Sequence, residues 1–355
     1  MKRGVKMLEF GVIREQTVHI GLEREKQQVI EFLKEQGLSY DQDIEYTVIL
    51  LDKDKIVGTG SFSGKILKCI ALDSEYKNMG LSNRIVTHLI QEQYQRGNTH
   101  LFLYTKPEHL TLFSQLGFYK ISEVSDKVLL MENKSDGISK YLQELSQYKR
   151  SGQVISSIVM NCNPFTLGHQ HLIERAAAQS DAVHIFIVWE DKSVFPSEIR
   201  YQLVKKGTKH LPNVFIHKGK DYIISNATFP SYFLKEYQDI VETHALLDLQ
   251  IFCQYIAPEL GINRRYVGEE PYCVVTKAYN LTMQHMLPQN NIQVVEIPRF
   301  SVEDSAVSAS KIRSLIREGD LSAVKQFVPQ TTYDYLLSDD AKEIIQNIRF
   351  SNNRH

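Results

Sequence analysis

The chain has 355 residues, more than one ordinary hydrophobic core organises, so two domains are expected. Hydrophobic residues make up 43% and charged residues 23%, and the formal net charge is −1. This balance excludes a global field toward nucleic acid or anionic lipid, so any phosphate binding has to be local. The four cysteines, Cys69, Cys162, Cys253 and Cys273, have neither C-x-x-C pairing nor metal-ligand spacing, which points to a reduced, cytoplasmic compartment. The opening MKRGVKMLEFGVIREQ lacks the apolar core of a signal peptide. Apolar runs such as VISSIVM are strand-length and too short to span a bilayer, so no membrane is expected.

In chain order, EYTVILL, the turn DKDK and IVGTGSF read as a β-hairpin, and ILKCIAL follows as a third strand. GLSNRIVTHLIQEQYQRG reads as a helix with Leu81, Ile85 and Leu89 on one face. HLFLYT is a strand, PEHLTLFSQLG a short helix, and FYKISE and KVLLME two more strands. Residues 133–152 mix charge, Ser and Gly around one short amphipathic helix, and the domain boundary is placed there.

From 153 onward, strands alternate with helices. The strands are VISSIVM, AVHIFIV, NVFIH, RRYVG and IQVVEI; helices are expected at 168–180, 197–210, 231–242, 251–260, 273–286, 308–318 and 320–327. Near-continuous apolar strands separated by helices imply an α/β domain, a Rossmann-like, doubly wound parallel sheet covered on both faces. The expected division is an α+β domain over 1–135, a linker helix over 136–152, and a catalytic domain over 153–355 with a helical C-terminus. The aromatic residues are spread through strands and helices rather than interleaved with basic ones, so nucleic-acid stacking is not expected.

NPFTLGHQHLIERAA (163–177) follows the first strand of that sheet. Ligands of parallel sheets bind beyond the carboxyl ends of strands, where helix N-termini converge. The helix here starts near Thr166–Gly168, and its first amides and its dipole suit an anion. Gly168 lets a phosphate approach the backbone, and Thr166 and His169 supply donors. His169 and His171 are two apart and point away from each other on a helix, so they are no metal pair. Cys162 reads as a packed thiol and Asp248 as a helix cap.

Thr166-Leu167-Gly168-His169, preceded by Asn163-Pro164, resembles the signature of the HxGH/TxGH nucleotidyltransferase superfamily. VSASKIR, with Ser308, Ser310 and Arg313, resembles its second motif, a hydroxyl-rich helix start followed by an arginine. The resemblance implies ATP at these two motifs: Thr166, His169 and Arg313 as catalytic residues, and Asn161, Asn163, Pro164, Phe165, Gly168, Ser308 and Ser310 as nucleotide-binding ones. Lys192 is expected as a mobile cation for the triphosphate, and Gly268 and Glu269, in VGEEP, as contacts to adenosine or the second substrate. The first signature histidine is replaced by Thr166 and the usual acidic residue before the proline by Asn163.

Over nearly the whole chain, NCNPFTLGH, VFPSEIRYQLVKKG, FPSYFLKEY, EIPR and SASKIR together resemble the citrate lyase ligases. In the N-terminal third, YKNMGLSNRIV and LFSQLGFYKI resemble the acyl-CoA loop and closing segment of an N-acetyltransferase-like (GNAT) domain, with Lys77, Gly80 and Ser82 in the loop. The resemblance implies acetate, ATP and Mg²⁺, and as partner the acyl carrier subunit of citrate lyase, whose dephospho-CoA-type thiol would be acetylated through acetyl-adenylate. By the same resemblance, Arg299, Lys277, Tyr279 and Asn280 fall near the second substrate. Two alternatives stay open on the motifs: an adenylyltransferase acting on a phosphopantetheine-type phosphate, and a CoA- or nucleotide-sensing binding protein.

Overall fold

A computed structural model describes residues 12–350 apart from 20, 191, 226–228, 231, 235–236, 271–272 and 304. It divides into two compact units that are not consecutive along the chain. One comprises Met1–Gly137 with Pro230–Thr243, the other Ile138–Phe229 with His244–His355.

The first unit is built on β1 (Ile13–Val18), β2 (Tyr46–Asp52), β3 (Lys55–Ser63), β4 (Ile66–Leu72), β5 (Phe102–Thr105), β6 (Tyr119–Val124) and β7 (Val128–Glu132). They form one sheet in the order β1-β2-β3-β4-β5-β7-β6, antiparallel except for the β4/β5 pair. Three helices join it: α1 (Glu23–Glu35), α2 (Leu81–Gln95) and α3 (Leu110–Gln115). The two-residue period of β2 explains its continuous apolar run. Val48 and Leu50 pack with Ile85 and Leu89 of α2, whereas Ile49 and Leu51 pack with Val29 and Leu33 of α1. Neither β1 nor α1 was expected from the sequence: β1 has one buried residue, Val18, and so no apolar alternation.

Tyr232, from the stretch Pro230–Thr243, belongs to the α1-side core together with Cys69 and Ala71. Its hydroxyl donates to the Tyr104 carbonyl at 2.6 Å, and its own carbonyl accepts from the Ser39 N–H at 2.7 Å.

The second unit begins with α4 (Gly137–Ser146). Tyr141 of α4 is buried, stacks on Tyr222 at 5.1 Å and donates to the Lys218 carbonyl. Then come β8 (Ile155–Met160), α5 (Leu167–Ala177), β9 (Ala182–Ile187), α6 (Ser197–Gly207) and β10 (Val214–Lys218). Next are α7 (Tyr237–Ile251), which enters this unit only from His244 onward, a π-helical stretch Phe252–Ile256, α8 (Ala257–Leu260), β11 (Arg264–Gly268), α9 (Val274–Gln289) and β12 (Gln293–Ile297). The chain closes with α10 (Ala309–Glu318), α11 (Leu321–Val324), α12 (Gln330–Leu337) and α13 (Lys342–Phe350), gathered around Ile312, Ile316, Leu336 and Ile348.

The five strands of this unit's main sheet are all parallel, in the order β10-β9-β8-β11-β12, beside a short antiparallel pair, Ser301–Val302 with Ser305–Ala306. This is the doubly wound order, with its switch between β8 and β11. The polar residues of β8 are satisfied inside: Ser156 bonds Ser180 at 2.6 Å and Ser157 donates to the Arg264 carbonyl. His184 of β9 and His217 of β10 are buried and hydrogen-bonded to each other at 2.9 Å.

The separate helices expected at 231–242 and 251–260 are one run from Tyr237 to Leu260, with residues 231, 235 and 236 outside the described ones. Asp248 therefore lies inside a helix and is no cap. It accepts from the Ile224 N–H at 2.7 Å and the Tyr279 hydroxyl at 2.6 Å.

Candidate active site

β8 and β11 pair only through Ser156↔Arg264 and Ser157↔Arg265 and then part. Beyond their carboxyl ends lies a cavity of about 770 Å³, walled by Met160 and Asn161 on one side and Val267 and Gly268 on the other. Parallel sheets of this order place their ligands at this point.

The start of α5 forms one wall. Thr166, buried and extended, caps the helix: its Oγ1 accepts from the His169 N–H, and its own N–H donates to His169 Nδ1 at 3.1 Å. With Nδ1 accepting, the imidazole carries its proton on Nε2. Burial, with the Arg299 charge added, pushes this ring down to about 4, so at neutral pH it is an uncharged donor. A Cβ on Gly168 would meet Thr166 Oγ1 and the Val307 carbonyl at 3.6 Å, ordinary contact distances. The glycine is therefore not required by the fold; it keeps the backbone open on the cavity side.

The start of α10 forms the facing wall. Ser308 caps it, accepting from the Lys311 N–H at 3.2 Å, and Ser308 and Ser310 share a hydrogen bond. Both serines line the cavity with Arg313. Arg313 is buried and donates from Nη1 to the carbonyl of Asn163. Asn163 in turn accepts from the Phe195 N–H through Oδ1 at 3.0 Å. The two sequence motifs are thus bonded to each other. Asn163, Pro164 and Phe165 are buried beneath the loop and do not line the cavity.

A residue not singled out in the sequence holds this loop from below. Arg200 of α6, fully buried, donates to the Asn161 carbonyl at 2.9 Å, to Asn161 Oδ1 at 2.6 Å, to the Val188 carbonyl at 2.7 Å and to the Phe195 carbonyl at 2.8 Å, as well as to the Glu190 carbonyl. The Glu190 carboxylate accepts from the backbone of Lys192 and Ser193. Its signal was a basic residue on the inward face of an otherwise amphipathic helix. Lys192 is exposed and does not line the cavity.

Gly268, Glu269, Glu270 and Arg299 also line the cavity, on the loops that follow β11 and β12. Lys277, Tyr279 and Asn280 do not line it: Tyr279 bonds Asp248, and Asn280 donates to the Gly268 carbonyl. His171 stacks on Phe300 at 4.9 Å. Cys162 is buried, and burial pushes its thiol upward. Among the described residues, no three His, Cys, Asp or Glu gather to hold a metal ion, and no helix is long and apolar enough to cross a membrane.

Residues 155–336, which contain every wall of this cavity, match the family described as citrate lyase ligase C-terminal domain. Over 87% of its length the chain is 42% identical to the [citrate [pro-3S]-lyase] ligase of Escherichia coli (strain K12), covering 89% of that protein. The chain belongs to the citrate lyase ligase family. It is similarly 41% identical to the Klebsiella pneumoniae ligase over 86% of its length, covering 91% of that protein, and 40% identical to the Haemophilus influenzae ligase over 90%, covering 98% of that one.

In the first unit of this family member, Lys77, Gly80 and Ser82 line another cavity, of about 600 Å³. Gly80 caps α2 at φ 73°, a left-handed backbone that glycine adopts without strain. β4 and β5 pair only at Ile66↔Phe102 and Leu67↔Leu103, and the cavity opens where they separate, with Tyr232 and Phe233 in its wall.

Proposed function

We propose that this chain is the ATP-dependent ligase that acetylates the thiol of the prosthetic arm on the acyl carrier subunit of citrate lyase. The observation that carries this reading is the pair of capped helix starts, α5 and α10, facing one cavity and joined through Arg313 and the Asn163 carbonyl. Two helix N-termini, a neutral imidazole donor and a guanidinium suit a polyphosphate. The nucleotide's phosphates are assigned to Gly168, His169, Ser308, Ser310 and Arg313. Thr166 orients the imidazole, and Gly268 and Glu269 border the nucleoside.

In the proposed sequence, an acetate oxygen forms a bond to the α-phosphorus of ATP and the bond to pyrophosphate breaks. The carrier thiol then loses its proton, its sulfur bonds the acyl carbon, and AMP leaves. Charge neutralisation and alignment carry such chemistry. Mg²⁺, carried in on the nucleotide, would supply charge neutralisation at the phosphates beside Ser308, Ser310 and Arg313. The catalytic domain is taken as 153–355 and the acetyltransferase-like one as 1–135, in a cytoplasmic protein.

The test is ATP–pyrophosphate exchange by the purified chain. Exchange that requires acetate, with AMP release on adding the carrier or a pantetheine thiol, is the expected result. Exchange that ignores acetate but requires a phosphate ester makes the protein an adenylyltransferase. Nucleotide binding without turnover makes it a sensor.

A further inference from the structure

Two side chains of the active-site cavity already satisfy each other. Arg299 Nη1 donates to Glu270 Oε1 at 3.0 Å, with side chains 19% and 22% exposed. The pairing is set by the sheet. β11 and β12 run in register to Gly268↔Ile297, and the Glu269 N–H continues the ladder to the Ile297 carbonyl at 2.9 Å. Glu270 and Arg299 therefore leave neighbouring strands side by side, and Glu269 Oε2 accepts from the Arg299 N–H at 3.4 Å.

Among the described residues, the arginines lining the cavity are Arg299, Arg313 and Arg317. Arg313 and Arg317 stand on α10, at the phosphate side. Arg299 comes from the sheet side, and its charge is felt at the His169 imidazole. A cation there, within electrostatic reach of the phosphate donors but not on their helix, fits the second reactant of an adenylating enzyme. That reactant is a small carboxylate, the same group as the end of a glutamate side chain. A guanidinium fork is shaped for a carboxylate.

Resting on the reading above, we infer that Arg299 binds the carboxylate of the acid substrate, and that Glu270 holds that place until the substrate displaces it. The internal carboxylate spares the half-buried Arg299 an uncompensated charge in the empty enzyme. It also competes as a tethered group at an effective concentration of about millimolar or more, and so raises the KM for free acetate. The substrate enters by exchanging one carboxylate for another on the same guanidinium, with no net change of charge at Arg299.

The experiment measures KM for acetate and for ATP separately in acetate-dependent exchange. Glu270→Gln keeps the shape and removes the charge; it is expected to lower the KM for acetate about 3–10-fold while the KM for ATP stays within about twofold. Arg299→Gln is expected to raise the KM for acetate about tenfold or more, with ATP again little changed. Glu270→Asp, which shortens the reach, serves if Glu270→Gln does not fold, and shifts the acetate KM the same way by less. An unchanged or higher acetate KM in the Glu270 variants overturns the inference, as does an Arg299→Gln effect shared equally by both substrates. A wild-type chain that shows no acetate-dependent exchange overturns instead the functional reading on which the inference rests.

Discussion

The Arg313 guanidinium donates to the backbone carbonyl of Asn163, 150 residues earlier in the chain. One buried side chain thus fixes the distance between the two helix starts that face the cavity. Arg313→Ala removes a cation from the cavity wall and takes away a hydrogen bond from the buried Asn163 carbonyl. The expected cost is about 10²–10³ in kcat, with roughly 1–3 kcal/mol of stability lost. Arg313→Lys retains charge and one donor and should recover part of both. Exchange kinetics beside a urea unfolding curve read the two effects separately.

Thr166 and His169 form a reciprocal cap in which each backbone N–H is accepted by the other's side chain. Thr166→Ser keeps the acceptor and should keep activity. Thr166→Ala should lose about 1 kcal/mol of stability and also free the imidazole, so kcat falls by more than the stability loss accounts for. His169→Ala should reduce kcat about 10²–10³-fold while the circular dichroism spectrum is retained. Near-wild-type turnover of His169→Ala removes the imidazole from the mechanism.

Gly168→Ala separates the needs of the ligand from those of the fold. The added methyl meets its neighbours at ordinary contact distance, so the melting temperature should move little. On the cavity side the methyl intrudes where a phosphate would approach, and the KM for ATP should rise about tenfold or more. A large drop in melting temperature with an unchanged KM would show that the glycine serves packing.

The buried pair His184–His217 makes stability depend on acidity. Burial, with the Arg150 charge added, pushes His184 down to about 4; burial, then the neighbouring His184, pushes His217 down to about 3, both from 6.5. Above pH 7 neither the folded nor the unfolded rings hold a proton, and the pair contributes no pH dependence. As pH falls below 6.5 the unfolded rings bind protons that the folded ones refuse, so stability drops until about pH 4 for His184 and about pH 3 for His217. Between pH 7 and pH 5 the loss is on the order of 2 kcal/mol for each ring. Urea midpoints at the two pH values should lie closer together in His217→Gln than in the wild type. An equal separation would assign the acid sensitivity to other groups.

The second unit was legible because its strands are apolar on both faces and its helices intervene, which leaves the parallel arrangement as the economical fold. VISSIVM gives β8, RRYVG gives β11, and TLGH and SASKIR open α5 and α10. What the sequence did not show is what side chains do once folded. Arg200 falls on the inward face of its helix, but its pattern does not say what it bonds; it is fully buried and donates to the carbonyls of four loop residues, Asn161, Val188, Glu190 and Phe195. Thr166 lines the cavity, and the sequence did not show that its hydroxyl is also engaged with His169. Polar β1 carries too little apolar pattern to be seen, and a helix that continues through a π-helical stretch reads as two.

The return of Pro230–Thr243 to the first unit means that this protein has no clean seam. A fragment ending at Gly137 would lack Tyr232, removing the bonds it makes to the Ser39 amide and the Tyr104 carbonyl and leaving a ring-sized hole beside Cys69. A fragment starting at Ile138 would carry that tyrosine with nothing to bury it. The halves should therefore resist separate production, and a gene split between 138 and 229 should yield soluble material only when both pieces are co-expressed.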